Sequence, residues 1–152
     1  MQREPDGAAI NALLDEVFSK AWPERVQRLS VSPGHRTEQR EDGVWIHVAP
    51  GMSAMVFYGP YTPLRAGRYR VSFEFRWESD VQCSCVRCEV TRGVNAEVVG
   101  FQDVGPVATR ATLDFTLAEL AFCCQFRCIS LGRAGFSVRR GVELAMVSSE
   151  TS

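Results

Sequence analysis

The side chains in this sequence best suited to chemistry are flat aromatic rings lying beside planar hydrogen-bonding groups, and one set surrounds Trp45 and His47. Such a ring can stack on the apolar face of a pyranose, while guanidinium and carboxylate groups hold hydroxyls or an acid in bidentate fashion. Trp45 and His47 alternate with Val44, Ile46 and Val48, so on a strand they face away from the side that the aliphatic residues bury. Arg68, Arg70, Glu74 and Arg76 alternate in the same way with Tyr69, Val71, Phe73, Phe75 and Trp77. Arg87, Glu89, Gln125 and Arg127 fall on the polar side of two further alternating runs. Tyr61 joins the set because it lies in a Gly-Pro loop, where binding residues gather. The candidate ligand-binding residues are therefore Trp45, His47, Tyr61, Arg70, Glu74, Arg76 and Arg127. A solvated sheet face laced with cross-strand ion pairs would leave the same pattern. Tyr61 could equally pack its loop onto the core, and Trp45 could be covered by an N-terminal helix.

Other chemistries find less support. Cys83, Cys85, Cys88, Cys123, Cys124 and Cys128 raise the question of zinc, but only Cys85 and Cys88 have a two-residue gap. Alternation places Cys124 and Cys128 among core residues, so small buried hydrophobes account for them better than metal ligands. His35 and His47, the only histidines, stand in no metal-ligand or nucleophile pattern. Asp42, Glu74, Glu89 and Asp114 form no recognisable acid–base pair. No catalytic residue, metal or cofactor is expected.

Charge excludes further classes. Across 152 residues the formal net charge is -1, which creates no field to recruit nucleic acid or an anionic membrane. The N-terminus lacks the apolar run of a secretory signal, and no apolar stretch is long enough to span a bilayer, so a cytoplasmic location with reduced thiols is expected.

The elements that must position these residues read as follows. Residues 6–20 carry Ile10, Leu13, Leu14, Val17 and Phe18 at three- and four-residue spacing, an amphipathic helix with Asp6 as N-cap and Pro23 beyond its end. Strands are expected over 26–31, 44–48, 53–58, 69–77, 81–91, 96–101, 111–117, 122–128 and 136–146, with the charged run 36–42 and residues 59–63 as loops. Between Val81 and Val90 the inward parity shifts, which predicts a bulge near Cys85 or Val86. Phe136, Val138, Val142, Leu144 and Met146 share parity, predicting one long closing strand, with a hairpin at 139–141 as the alternative. Many short strands separated by Gly and Pro, with no helices to form crossovers, predict an all-β, two-sheet antiparallel β-sandwich with an N-terminal amphipathic helix. Its division is 1–24 for the helix and 25–148 for the sandwich.

Residues 59–71, Gly-Pro-Tyr-Thr-Pro-Leu-Arg-Ala-Gly-Arg-Tyr-Arg-Val, resemble a loop-and-strand element of bacterial carbohydrate-binding-module-like jelly rolls. Residues 126–144 are similar to the last two strands of such domains. The resemblance implies a jelly-roll sandwich and a non-catalytic module that binds carbohydrate. The alternative is a structural or protein-interaction domain, self-associating or meeting a protein partner through the N-terminal helix or a sheet edge.

Overall fold

In this computed structural model the described residues are 9, 24–26, 28–78 and 83–148. The expected helix over 6–20 lies outside them, Ala9 apart. The strands run in chain order as β1 (Glu24–Val26), β2 (Ser30–Val31), β3 (Arg36–Arg40), β4 (Gly43–Val48), β5 (Ser53–Tyr58), β6 (Pro60–Leu64), β7 (Gly67–Trp77), β8 (Val86–Arg92), β9 (Glu97–Val104), β10 (Arg110–Leu117), β11 (Ala121–Leu131), β12 (Phe136–Arg139) and β13 (Val142–Ser148). They form a seven-stranded sheet ordered β1-β13-β7-β12-β4-β3, with β10 also on β7, and a six-stranded sheet ordered β2-β5-β11-β8-β9, with β6 also on β11. Every recorded pairing is antiparallel. The result is the expected two-sheet sandwich.

Strict alternation drives the inner faces together. On β7, Tyr69, Val71, Phe73 and Phe75 are buried, and on β10 so are Ala111, Leu113, Phe115 and Leu117. They meet Phe57, Cys88, Val90, Phe126 and Cys128 from the other sheet in one core. Phe73 lies nearly parallel to Phe57 across the sheets, with centroids 6.0 Å apart. Tyr69 stacks on Phe115 at 5.1 Å, and its buried hydroxyl donates to the Arg65 carbonyl at 2.7 Å.

Several expectations change. The strand anticipated over 26–31 is two short strands in different sheets, because the chain crosses from one sheet to the other between Val26 and Ser30. The charged run is not a loop: β3 pairs with β4, and as an edge strand it keeps four of its five residues exposed, where charge blunts unwanted pairing. Residues 60–64 pair with β11 rather than looping free. The parity shift expected at Cys85 or Val86 is present: these adjacent residues are both buried, and Cys85 is bonded to both neighbouring strands, its N–H donating to the Val104 carbonyl at 2.8 Å and its carbonyl accepting from the Leu131 N–H at 2.9 Å. A further ladder irregularity, which the pattern does not announce, falls between Val90 and Thr91. Phe122 is exposed, not inward, because Cys123 takes a left-handed φ of 55° and turns the alternation over. Finally, β12 and β13 both run antiparallel to β7, so residues 136–148 form one interrupted strand and not a hairpin.

Candidate functional site

The seven candidate residues do not form one platform. Arg70, Glu74, Arg76, Trp45 and His47 share the outer face of the seven-stranded sheet, whereas Tyr61 and Arg127 belong to the six-stranded sheet.

On the first face the charges answer one another. Arg70 donates to both Asp114 oxygens at 2.8 and 3.2 Å, and these bonds hold the Asp114 carboxyl below the usual carboxylate range. Glu74 sits between Arg110 and Arg139, at 3.3 and 3.1 Å. His47 lies between Glu38 and Ser137, each at 2.8 Å. Trp45 points outward by parity yet is only 2% exposed. Its indole N–H donates to Asp42 at 2.8 Å, and the Arg76 guanidinium lies 4.4 Å from the ring centroid while also binding Asp42 at 3.0 Å. A ring already covered cannot stack on a ligand, so Trp45 here organises charge and fills space.

The outer face of the six-stranded sheet is arranged differently. Arg127 is opposite Glu89, and Glu89 is opposite Phe101, so the three occupy one row across adjacent strands β11, β8 and β9. Phe101 is 57% exposed, with the Arg87 guanidinium 4.7 Å from its centroid. Arg87 is itself fixed by Asp103, to which it donates at 2.8 and 3.0 Å. Arg127 reaches Glu89 at 3.0 Å, and the carboxylate is sheltered, with Glu89 7% exposed. Two polar atoms beside this pair, Arg127 Nε and Thr91 Oγ1, are buried without a hydrogen-bond partner. Both atoms lie beneath the surface of this face, Thr91 in the neighbouring row opposite Gln125. Gln125, opposite Thr91, continues the face to Pro60, and the next residue, Tyr61, is half exposed in a left-handed conformation of φ 67° with its ring edge-on to Tyr58. A bulky residue in that region is a backbone outlier of the kind that collects at binding loops.

The sequence marked Arg87, Glu89 and Arg127 as polar-face residues but not Phe101. The signal that could have found it is position: Phe101 and Asp103 alternate with Val104 on β9, which puts the ring on the water-facing side.

Among the described residues no group of three or more His, Cys, Asp or Glu side chains is placed to bind an ion. Cys88 and Cys128 are buried directly opposite one another on β8 and β11. Burial pushes the Cys124 thiol up to about 11, and raises Cys88 and Cys128 well above the ordinary range. Since the thiolate is the reactive form, a thiol reagent at neutral pH should label exposed Cys83 first and half-buried Cys123 more slowly. Cys88, Cys124 and Cys128 should react only on unfolding, and mass mapping of the labelled peptides checks this order.

No protein-family model and no curated protein sequence matches this chain. Solved structures do. The C-terminal CBM6 of LamC, a marine laminarinase from Zobellia galactanivorans, superposes with a TM-score of 0.57 at 11% identity, over 80% of this chain and 97% of that one. A CBM6 from Cellvibrio mixtus lichenase 5A, solved with cellotriose, gives 0.51 at 15% identity, covering 86% and 98%. A CBM4 structure gives 0.52 at 15% identity, covering 87% and 99%. At these identities the likeness is one of fold, and it is consistent: this chain has the two-sheet antiparallel sandwich found in carbohydrate-binding modules of several families.

Proposed function

We propose that this chain is a non-catalytic carbohydrate-binding module whose ligand lies across the outer face of the six-stranded sheet. The observation that carries the reading is the in-register row Phe101–Glu89–Arg127, which sets an exposed ring beside a carboxylate–guanidinium pair. Phe101 offers the apolar surface that a sugar ring stacks on, while Arg127 and Glu89 offer a donor and an acceptor for its hydroxyls. Tyr61, half exposed, lies on β6 of the same sheet. Similarity of fold to modules that include one solved with cellotriose supports the reading.

A glycan array followed by titration against the best polysaccharide tests it. Wild type should bind, and Phe101→Ala and Arg127→Gln should each weaken binding about tenfold, equivalent to about 1.4 kcal/mol. Arg70→Ala, on the opposite face, should bind like wild type. If no glycan is retained, the chain is better read as an interaction domain. If Arg70→Ala alone loses binding, the ligand face has been assigned to the wrong sheet.

A further inference from the structure

A hollow of about 460 Å³ lies away from the row just described, where the chain crosses between the sheets. Its lining includes Arg28 on the crossover, Gln39 and Gly43 on the hairpin of β3 and β4, and Arg139 and Arg140 at the interruption between β12 and β13. Among the described residues, the three charged side chains of the lining are all arginines.

The interruption explains why two of them meet. Successive side chains on an unbroken strand point to opposite faces, so neighbouring arginines would not share a cavity. Here Val138 faces Phe75 and Glu143 faces Ser72, so residues 139–142 span what Phe73 and Glu74 alone cover on β7. Extra residues of this kind re-aim side chains, and both Arg139 and Arg140 now line the hollow. Their heads are fixed. Arg140 Nε donates to the Leu29 carbonyl at 2.9 Å, and its backbone N–H donates to the Val44 carbonyl at 2.8 Å. The Arg139 guanidinium rests against Gly43, where a Cβ would sit 3.3 Å from two of its nitrogens and where φ is +125°. Glycine thus makes room for the guanidinium and permits the backbone turn beneath it.

Charge is not balanced within the hollow. Glu74 answers Arg139, but Arg28 and Arg140 have no carboxylate partner among the described residues. Arg140, held by these bonds, and Arg28 beside it present guanidinium N–H donors that fit the planar oxygens of an acid, and the volume admits more than a bare ion.

We propose that this hollow is an oxyanion site that takes the acidic group of a charged sugar unit, a carboxylate or sulfate borne on the ring. The sugar ring in this assignment rests on the carbohydrate-binding reading; the oxyanion does not.

The test is titration of the full 15N-labelled chain with glucuronate, glucose and sodium sulfate at constant ionic strength, following the arginine Nε–Hε resonances by NMR. Glucuronate should shift the Arg28 and Arg140 signals saturably, sulfate should do so more weakly, and glucose should leave them in place. Arg28→Gln should weaken glucuronate binding about tenfold, and added salt should weaken it further. Arg28 makes no hydrogen bond among the described residues, so this variant should keep its fold, which Arg140→Gln need not. Failure of glucuronate to move these resonances, or undiminished binding by Arg28→Gln, overturns the site. Equal saturation by sulfate and glucuronate overturns its assignment to a sugar acid. Loss of polysaccharide binding in Phe101→Ala leaves this readout intact, so failure of the sheet-face site is distinguishable from failure here.

Discussion

Replacement of Phe73 by alanine is expected to lower the unfolding free energy by about 3–5 kcal/mol, the usual cost of emptying a fully buried aromatic position. Phe73 is 0% exposed, sits near the middle of β7, and stacks on Phe57 of the facing sheet. Its removal leaves a cavity bounded by two sheets whose backbones are held by ladders on either side, so collapse can relieve only part of the loss. Phe73→Leu retains most of the volume and should cost markedly less. Urea unfolding followed by tryptophan fluorescence measures both. A Phe73→Ala loss under about 1 kcal/mol would show that the two sheets are not joined through this contact.

Trp45→Ala should cost a similar amount, about 3–5 kcal/mol, and should leave polysaccharide affinity unchanged when measured on the folded fraction. The indole is 2% exposed, capped by Arg76, and bonded to Asp42. Trp45→Phe keeps a ring but loses the N–H donor. Hydrogen bonding by Trp45 is the leading reason the Asp42 carboxyl lies below its ordinary value, with the Arg76 charge assisting. A depressed carboxyl contributes stability that is present above the unfolded pKa and is lost as pH falls through the folded one. In Trp45→Phe the Asp42 titration should therefore move up toward the ordinary carboxylate value, and the acid limb of the stability profile should move up with it. NMR titration of Asp42 reads the shift directly. An unmoved Asp42 pKa, or a selective loss of glycan binding in Trp45→Ala, would return this residue to the ligand face.

Alternation alone makes the core legible in the residues. Tyr69, Val71, Phe73 and Phe75, the four apolar residues of β10, and Phe136, Val138, Val142 and Leu144 all lie where parity puts them, because one buried sheet face leaves period-two patterning little freedom. The errors fall where parity loses its meaning. Phe122 follows β11's pattern on paper but precedes a left-handed residue, and the charged β3 is a strand because an edge can be wet on both faces. For the candidate site, parity reports direction but not cover: it places Trp45 outward and cannot show Arg76 lying over the ring. Nor can it tell which sheet each polar row belongs to. That depends on pairing across tens of residues, such as Arg127 with Glu89, and it separates Arg127 from the arginines of β7. The arginine-lined hollow is illegible for the same reason, since Arg28 and Arg140 are brought together only by the closing of the sheets.

Every hydrogen-bonded neighbour of β7 among the described strands is made after it: β10, then β12, then β13. At roughly 5–20 residues per second of synthesis, this aromatic-rich strand spends on the order of seconds with both edges empty. In that interval it is the segment of the nascent chain best suited to pair with a copy of itself on a neighbouring ribosome. Arg68, Arg70, Glu74 and Arg76 then stand one residue away from each aromatic or aliphatic side chain, a charged guard on a strand that has yet to find its partners. Arg70 and Arg76 serve the folded sheet as ion-pair partners, and the same charges oppose self-pairing of the strand before its neighbours arrive.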